Sequence, residues 1–367
     1  MLSEASPDKI LAKDRLTKKD LAHLLSLNDK QGMQQLFDKA YAIKKKYVGT
    51  TVYFRGLIEL SNICEKNCYY CGIRKENRKV ERYMMSEEEI LQAANEAWQW
   101  GYGSVVLQAG EISNSRYTSF IENLIHKIKE LSNGELGITL SLGEQVENTY
   151  KRWYAAGAQR YLLRIETSDR KLYALLHPES HNYDSRVECL QILGDIGYYV
   201  GTGVMIGLPG QTVERLADDI MFFKRIDADM IGMGPYIPHH DTPLACCLGN
   251  FDDIKQDQFE LALRMIAATR IFLRDVNIAS TTALQALDDS GRELGLKAGA
   301  NIIMPNITDT IYRRGYQLYD NKPCLDENAS MCRACLEGRI LSIGETIGYN
   351  KPGDSPHYDR KRTRVRK

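Results

Sequence analysis

Apolar positions along the chain follow two alternating spacings, which predict alternating strands and helices. Eight short apolar runs rich in β-branched residues are typical of buried strands. Between them, apolar residues recur every three or four positions, which indicates amphipathic helices. The candidate strands are residues 52–59, 104–108, 138–142, 161–165, 203–207, 230–234, 278–282 and 301–304.

The strict alternation of eight strands with helices predicts the fold class. Each helix carries the chain from one strand to a parallel neighbour, and eight parallel strands close a barrel. We therefore expect a complete (β/α)8 TIM barrel over residues 51–322. Ser86 and Glu89 form a capping-box pattern at the start of one crossover helix, and Gly101 provides its stop. Active-site residues are expected at the carboxyl ends of the strands.

Two segments lie outside the predicted barrel. Residues 1–50 have helical spacing with many charges, and they predict an N-terminal helical extension packed on the barrel. Residues 323–367 form a cysteine-rich C-terminal segment with a basic tail. Residues 360–367 are predicted to be a solvated, frayed tail and not a binding surface.

Composition and charge exclude several classes of function. The 367 residues carry 48 Lys plus Arg and 48 Asp plus Glu, so no global field attracts nucleic acid or an acidic membrane. No run of about 18 apolar residues is present, and the charged N-terminus does not resemble a signal peptide. We therefore predict a soluble, cytoplasmic, monomeric protein.

Cysteine usage points to metal ligation. Six of the nine cysteines stand in two tight groups, which suits ligand roles in a reducing compartment better than disulfides. Cys64, Cys68 and Cys71 follow the first strand at the spacing C-x3-C-x2-C. A four-iron cluster normally takes four thiolates, so three leave one iron open for another ligand. A zinc site and three unrelated core thiols are the alternative interpretations.

The other cysteines divide into a second group and isolated residues. Cys324, Cys332 and Cys335 have the spacing C-x7-C-x2-C, for which a second iron–sulfur cluster is the first interpretation. Zinc or unmetallated thiols remain open, because spacing alone does not choose between soft-metal sites. Cys189 lies in a helical pattern and is predicted to be a buried small hydrophobe.

Polar residues at two of the strand ends are further candidates. By strand alternation Arg164 and Glu166 share one face, which is buried inside a barrel. A buried pair of this kind is costly unless partners or a charged ligand compensate it, and a purely structural ion pair is the alternative. His239 and His240 could ligate a metal, but surface loop histidines are the favoured interpretation.

The cysteine loop resembles that of a known enzyme family. Tyr70 before Cys71 completes the pattern C-x3-C-x-aromatic-C of the radical S-adenosylmethionine (SAM) enzymes. In that family a [4Fe-4S] cluster binds the amino and carboxylate groups of SAM at its open iron. One electron from the cluster then splits the sulfonium and produces a 5′-deoxyadenosyl radical.

Longer motifs narrow the resemblance to the HydE-type maturases of [FeFe]-hydrogenase. The similarity covers about residues 50–345. The motifs are Cys-Tyr-Tyr-Cys-Gly-Ile-Arg (68–74), Val-Leu-Gln-Ala-Gly-Glu (106–111), Leu-Leu-Arg-Ile-Glu-Thr (162–167), Gly-Leu-Pro-Gly-Gln-Thr (207–212), Gly-Pro-Tyr-Ile-Pro-His (234–239), Thr-Thr-Ala-Leu (281–284), Asn-Ile-Ile-Met-Pro-Asn (301–306) and Gln-Leu-Tyr (317–319).

The resemblance implies a function and a set of site residues. HydE-type enzymes are complete barrels that help to build the diiron subcluster (H-cluster) of [FeFe]-hydrogenase, on a cysteine-bound iron carbonyl cyanide precursor. It implies HydG and HydF type maturases as partners and an electron donor such as ferredoxin or flavodoxin. SAM contacts are implied for Gln108, Glu166, Arg186 and Tyr70, with Arg186 opposite the SAM carboxylate. Substrate-cavity candidates are Thr139, Arg164, Thr281, Thr282, Met304 and Tyr319.

Two features depart from a uniform family pattern. Ala109 stands where a serine is expected, so one polar contact near the active site is missing. The second cysteine group occurs only in some members, where it would bind a [2Fe-2S] or [4Fe-4S] cluster.

Three other functions compete with the maturase hypothesis. Biotin synthases carry further cysteines at inner strand ends, and this chain has none there besides the Cys64 loop. Methylornithine synthase has a similar fold and similar SAM contacts. An iron–sulfur carrier or scaffold is the non-enzymatic alternative, but a carrier has no use for a set of adenosine-binding strand ends.

Overall fold

A computed structural model describes residues 6–326 and 329–365. The side chains of residues 329–332 and 364–365 are outside this description. Three helices precede the sheet: α1 (Pro7–Leu11), α2 (Lys18–Leu25) and α3 (Lys30–Tyr47). Thr17 and Asp29 cap the last two of these helices by accepting backbone N–H bonds. Leu36 and Ala40 pack against Ala267 on the outside of the barrel.

The core of the molecule is a parallel barrel. Its strands are β1 (Thr51–Ser61), β2 (Ser104–Ala109), β3 (Gly137–Ser141), β4 (Arg160–Leu162), β5 (Tyr199–Thr202), β6 (Met205–Ile206), β7 (Met230–Ile231), β8 (Gly234–Pro235), β9 (Asn277–Ile278) and β10 (Ile302–Ile303). The order around the barrel is β1, β2, β3, β4, β5, β7, β9, β10, and β10 pairs with β1. Asn301 N donates to Ile278 O and Ser280 N donates to Ile302 O, both at 2.9 Å, so β9 and β10 also meet. The predicted eight-stranded barrel is confirmed.

Helices surround the barrel on its outer face. They are α4 (Glu87–Gln99), α5 (Ser115–Leu131), α6 (Glu147–Ala156), α7 (Arg170–Leu176), α8 (Tyr183–Ile196), α9 (Val213–Arg225), α10 (Lys255–Leu273), α11 (Thr282–Leu287), α12 (Gly291–Lys297), α13 (Thr310–Arg313) and α14 (Ala329–Ser342). The predicted capping box of α4 is confirmed, because Ser86 N donates to Glu89 Oε2 at 2.7 Å and Glu89 N donates to Ser86 Oγ at 3.3 Å. Gly101, with φ of 75°, follows the end of this helix.

The fifth strand lies earlier in the chain than predicted. Residues 203–207 were expected to form it, but β5 is Tyr199–Thr202 and pairs with β4 and β7. Within the predicted range only β6 is a strand, and it pairs with β8. Gly203 separates the two pieces where the backbones approach closely, since a Cβ on it would lie 1.8 Å from Gly232 O.

The end of the chain forms the floor of the barrel. Strand β11 (Thr346–Ile347) pairs with the first residues of β1. Arg55 Nη2 donates to Gly353 O at 3.2 Å. Arg160 Nη2 donates to Pro352 O at 3.2 Å, and its Nε donates to Asp354 Oδ1 at 2.9 Å. Both guanidiniums are buried, and the C-terminal segment supplies their acceptors at this end of the barrel.

The basic tail is ordered where the structure describes it. Helix α15 (Pro356–Val365) contains Arg360 and Lys361. Lys361 Nζ lies 3.1 Å from Asp229 Oδ2, and Arg360 contacts Asp275. The prediction of a frayed tail is therefore wrong for residues 360–365, because buried acidic residues of the barrel floor bind its cations.

Candidate active site

The three cysteines of the first group lie in the loop that follows β1. The backbone joins this loop to the loop after β2, where Glu65 N donates to Glu111 O at 2.8 Å. Glu111 N donates in turn to Cys64 Sγ at 3.3 Å. Gly110 permits this approach, because a Cβ on it would lie 2.3 Å from Ile63 O. Because Gly110 has no side chain, the loops after β1 and β2 can lie in contact.

Arg82 fixes the shape of the cysteine loop from its far side. Its guanidinium donates to the carbonyl oxygens of Asn62 at 2.6 Å and Ile73 at 2.8 Å. It also donates to the carbonyl oxygens of Arg74 at 2.7 Å and Asn77 at 3.1 Å. Four hydrogen bonds from one side chain thus fix the backbone of the loop. The sequence pattern gives no signal for this role.

The environment of the three thiols fits a cluster better than a single ion. Burial raises the pKa of Cys64, Cys68 and Cys71, to about 12 for Cys68, so the free thiols stay protonated at neutral pH. Binding of iron supplies the positive charge that favours the thiolates. The three sulfurs are not gathered within 4.8 Å of one another, as ligands of one ion would be. A cluster suits this wider spacing, because each thiolate binds a different iron.

Two histidines after α7 lie beside the loop. His181 Nδ1 is 3.8 Å from Cys68 Sγ, and His177 Nε2 is 3.4 Å from the Tyr70 hydroxyl. Burial lowers the pKa of His177 to about 3 and that of His181 to about 4, so both rings are neutral. Neither histidine is predictable from a local pattern, because 113 residues separate His181 from Cys68.

Four charged side chains form a network next to the loop. Lys66 Nζ lies 3.2 Å from Glu111 Oε1 and 2.8 Å from Glu144 Oε2. Arg186 contacts Glu144 through its Nε. Burial raises the pKa of Glu111 despite the two cations. For Glu144 burial acts in the same direction, but Arg186 and Lys66 outweigh it and lower the pKa. Of the four, the resemblance identifies Arg186 alone.

Glu166, which follows the end of β4, has a strained backbone conformation. Glu166 has φ of 65°, a conformation that costs a non-glycine residue about 1–3 kcal/mol and that clusters at functional sites. Its Oε2 lies 3.1 Å from Arg164 Nη2, which also donates to Val204 O at 2.9 Å. Burial raises the pKa of Glu166 despite the positive charges of Arg164 and Arg186. The ion pair of Arg164 with Glu166 forms, but both residues follow the end of β4 and the Arg164 side chain is 33% exposed, so the predicted buried strand face is wrong.

Several buried polar atoms near these strand ends lack hydrogen-bond partners among the described residues. They are Thr139 Oγ1, Thr281 Oγ1, Arg164 Nε, and Nε and Nη1 of Arg292. Arg292 Nη2 donates to Thr282 Oγ1 at 3.1 Å. Burial raises the pKa of Tyr319, although the charges of Arg292 and Arg164 oppose the shift. Arg292 is not predictable from the strand-end pattern, because it lies in α12.

Three further predicted site residues, Gln108, Tyr70 and Met304, lie at different depths along the barrel axis. Gln108 Nε2 donates to the Tyr316 hydroxyl at 3.2 Å. The ring of Tyr70 meets that of His177 edge-on at 5.5 Å. Met304 packs against the apolar cluster near the floor that contains Tyr199, below the polar groups. Met304 is thus apart from the charged members of the predicted set.

The structure describes only part of the second cysteine group. Cys324 has φ of 62° and is half-buried, and Cys335 is exposed on α14. The side chain of Cys332 is outside the described residues. A second metal site therefore stays a prediction. Cys189 is buried, as predicted.

The histidine pair after β8 is poorly suited to bind a metal. His239, His240 and Asp320 converge within 4.8 Å. However, His239 Nδ1 accepts from Asp241 N at 3.1 Å, and His240 Nδ1 lies 2.8 Å from Asp320 Oδ1. His240 N also donates to Asp320 Oδ2 at 2.9 Å, so both oxygens of this carboxylate are already hydrogen-bonded within the cluster.

Comparison with known proteins identifies the family. Residues 58–223 match the model of the radical SAM superfamily. The [FeFe] hydrogenase maturase subunit HydE of Thermotoga maritima is 43% identical over 343 residues, which are 94% of this chain and 95% of the relative. The 3-methylornithine synthase of Methanosarcina barkeri is 28% identical over 315 residues, 85% of this chain and 86% of the relative.

Solved structures support the same fold. Methylornithine synthase (PylB) superposes with a TM-score of 0.78 at 25% identity, over 94% of this chain and 98% of that one. The FeFe-hydrogenase maturase HydG from Carboxydothermus hydrogenoformans gives a TM-score of 0.77 at 21% identity, over 94% and 78% of the two chains, and shows the fold alone.

No helix among the described residues is long and apolar enough to cross a membrane.

Two kinds of observation lead to the same family. One is the structure of the site, with its three-cysteine loop and buried polar strand ends. The other is the 43% identity over nearly the whole of both chains. The chain is an enzyme of the radical SAM superfamily and belongs to the family of the HydE maturases.

Proposed function

We propose that this enzyme cleaves SAM reductively and acts in the assembly of the diiron subcluster (H-cluster) of [FeFe]-hydrogenase, on a cysteine-bound iron carbonyl cyanide precursor. The observation that carries this proposal is that buried polar atoms of Arg164, Arg292, Thr139 and Thr281 lack hydrogen-bond partners among the described residues. The 43% identity to HydE supports the same assignment.

The cysteine loop and its surroundings supply the SAM site in this proposal. Cys64, Cys68 and Cys71 hold the [4Fe-4S] cluster and leave one iron for the amino and carboxylate groups of SAM. When bound, the cluster supplies the electron that cleaves SAM to methionine and a 5′-deoxyadenosyl radical. Arg186 opposes the SAM carboxylate, since a guanidinium fork matches a carboxylate. Glu166 accepts from the polar, positively charged groups of the cofactor, and Gln108 and Tyr70 complete the contacts.

The deeper groups suit an anionic substrate. In this proposal Arg164 and Arg292, with the hydroxyls of Thr139, Thr281 and Thr282, donate hydrogen bonds to the substrate. Thr139 and Arg292 are buried and the other three side chains are half-buried. Removal from water makes such donors more effective. An iron complex with carbonyl and cyanide ligands carries negative charge and matches this lining. Tyr319 completes the proposed wall, and Met304 lies deeper, against the apolar cluster near the floor.

Arg164→Met tests the substrate assignment, because methionine keeps most of the volume and removes the charge. We expect the variant to retain its cluster and SAM binding but to lose at least about tenfold in hydrogenase maturation, the factor that corresponds to about 1.4 kcal/mol. The assay is anaerobic reconstitution of hydrogenase activity with the other maturases. Arg170→Met is the matched control, because Arg170 forms an exposed ion pair with Asp184. Unchanged maturation by Arg164→Met would contradict the proposed role.

Methylornithine synthesis is the second candidate function, because PylB shares the fold over 94% of this chain. The two functions separate in one assay with wild-type protein. Conversion of lysine without any effect on hydrogenase maturation would favour the second candidate. Biotin synthase chemistry has less support, since none of the described inner strand ends adds a cysteine for a sacrificial sulfur cluster.

Several partners follow from the proposed function. A cytoplasmic maturase would work with HydG and HydF type proteins and would receive electrons from a ferredoxin or flavodoxin. The second cysteine group would hold an additional [2Fe-2S] or [4Fe-4S] cluster that the central reaction does not need.

Replacing Cys324, Cys332 and Cys335 together by serine tests that last point. We expect a lower iron content with SAM cleavage close to the wild-type rate, because the first cysteine loop is held by Arg82 and Glu111 and not by α14. Iron analysis and 5′-deoxyadenosine formation are the measurements. Loss of cleavage in a folded triple variant would show that the second group takes part in electron delivery or catalysis.

A further inference from the structure

The turn between α7 and α8 brings a neutral histidine to one of the cluster thiols. His181 is 9% exposed, and its Nδ1 lies 3.8 Å from Cys68 Sγ. Its other nitrogen, Nε2, lies 3.3 Å from the backbone N of Asn67, the residue before Cys68. Both ring nitrogens therefore contact the cysteine loop itself.

The backbone contact determines where the imidazole carries its proton. Asn67 N–H can only donate, so Nε2 of His181 must present its lone pair. A neutral imidazole has one N–H, which is then on Nδ1 and faces Cys68. The main chain of the loop thus fixes the tautomer that points a donor at the sulfur.

We propose that His181 is a positioning residue whose Nδ1–H donates a hydrogen bond to the Cys68 thiolate and raises the reduction potential of the cluster bound there. Hydrogen bonds to the sulfurs are one of the factors that set the potential of iron–sulfur clusters. An N–H dipole directed at a sulfur stabilises the reduced cluster more than the oxidised one, because the reduced cluster carries one more negative charge. The inference rests on the proposed cluster site.

A mononuclear metal site is the alternative use of the same atoms. Cys68, His177 and His181 lie within 4.8 Å of one another. Ligation through Nδ1 would move the proton of His181 to Nε2, where it would face the Asn67 N–H. His177 is also engaged, since its Nδ1 lies 2.9 Å from Tyr173 O and its Nε2 lies near the Tyr70 hydroxyl. The hydrogen bonds thus favour a donor to sulfur over a ligand to a separate ion.

Two substitutions at His181 test the proposal in the reconstituted full-length protein. His181→Leu removes the donor and keeps an apolar side chain of similar bulk. His181→Asn keeps an N–H at about the position of Nδ1. Redox titration followed by electron paramagnetic resonance (EPR) gives the midpoint potential without reference to catalytic rate. His126→Leu is the matched control, because His126 is exposed on α5.

We expect His181→Leu to shift the ratio of reduced to oxidised cluster three- to tenfold toward the oxidised form, which is about 30–60 mV to more negative potential for one electron. His181→Asn should recover part of the shift, and His126→Leu should show none. A wild-type potential in His181→Leu at full iron content would overturn the proposal.

A second measurement covers the case in which His181→Leu does not assemble a cluster. Wild-type protein with 15N-labelled histidine should show a histidine nitrogen coupling in pulsed EPR of the reduced cluster, and His181→Asn should lack it. Absence of the coupling in wild-type protein would overturn the proposal. If wild-type protein assembles no SAM-responsive cluster, the proposed function itself fails, which is a distinct result.

Discussion

A Cys68→Ala variant should fold but lose its cluster and at least about a hundredfold in SAM cleavage. Even residues outside the metal ligands typically contribute 10–100-fold, and a ligand contributes more. Cys68 is the central ligand of three, and two thiolates leave a second iron open. Iron content, the EPR signal with and without SAM, and 5′-deoxyadenosine formation are the measurements.

Cys189→Ala is the control for this variant. Cys189 is also a buried thiol, but it lies in α8 and contacts Gln145 O at 3.8 Å. We expect its cluster content and cleavage rate to be those of the wild type. Normal 5′-deoxyadenosine formation by Cys68→Ala would refute the assignment of the cysteine loop.

An Arg186→Ala variant should bind SAM at least about tenfold more weakly while its cluster still assembles. Removing one partner of a desolvated, hydrogen-bonded charge pair costs about 2–5 kcal/mol, and tenfold corresponds to about 1.4 kcal/mol. Arg186→Lys should recover only part of the loss, because an ammonium cannot reproduce the two-pronged geometry. Equilibrium binding of SAM to the reconstituted protein is the measurement.

The contact of Arg186 with Glu144 calls for a double variant. In Arg186→Ala the half-buried Glu144 keeps only Lys66 as an ion-pair partner, so its charge would repel the SAM carboxylate. Arg186→Ala combined with Glu144→Gln removes that charge. If the double variant still binds SAM weakly, Arg186 contacts SAM directly. Unchanged SAM affinity in Arg186→Ala would make Arg186 a structural ion-pair residue.

Local patterns predicted the features that depend on neighbouring residues. The alternation of strands and helices predicted the barrel, and the closeness of Arg164 and Glu166 in the sequence predicted their contact, although both follow the end of β4. The spacing of Cys64, Cys68 and Cys71 predicted a common loop. In each case residues a few positions apart determine the geometry, so sequence alone is sufficient.

Contacts between distant segments were not predictable in the same way. His181 lies in the turn between α7 and α8, and Arg292 lies in α12. The directions of both side chains depend on how the helices pack on the closed barrel. The fifth strand was predicted too late in the chain. Gly203 was read as part of that strand, but a glycine is needed there because its backbone lies close to that of Gly232. The ion pairs of Arg360 and Lys361 likewise depend on acidic residues more than 80 positions away.

The barrel floor has a consequence for synthesis on the ribosome. Arg55 and its acceptor Gly353 are 298 positions apart. At a translation rate of about 5–20 residues per second, the strand that carries Arg55 emerges about 15–60 s before the segment that seals beneath it. During that interval the nascent barrel lacks the oxygen acceptors that the C-terminal segment provides for Arg55 and Arg160. The cysteine loop at the active-site end is held by Arg82 and Glu111. Its hydrogen bonds can therefore form well before those at the opposite end of the barrel.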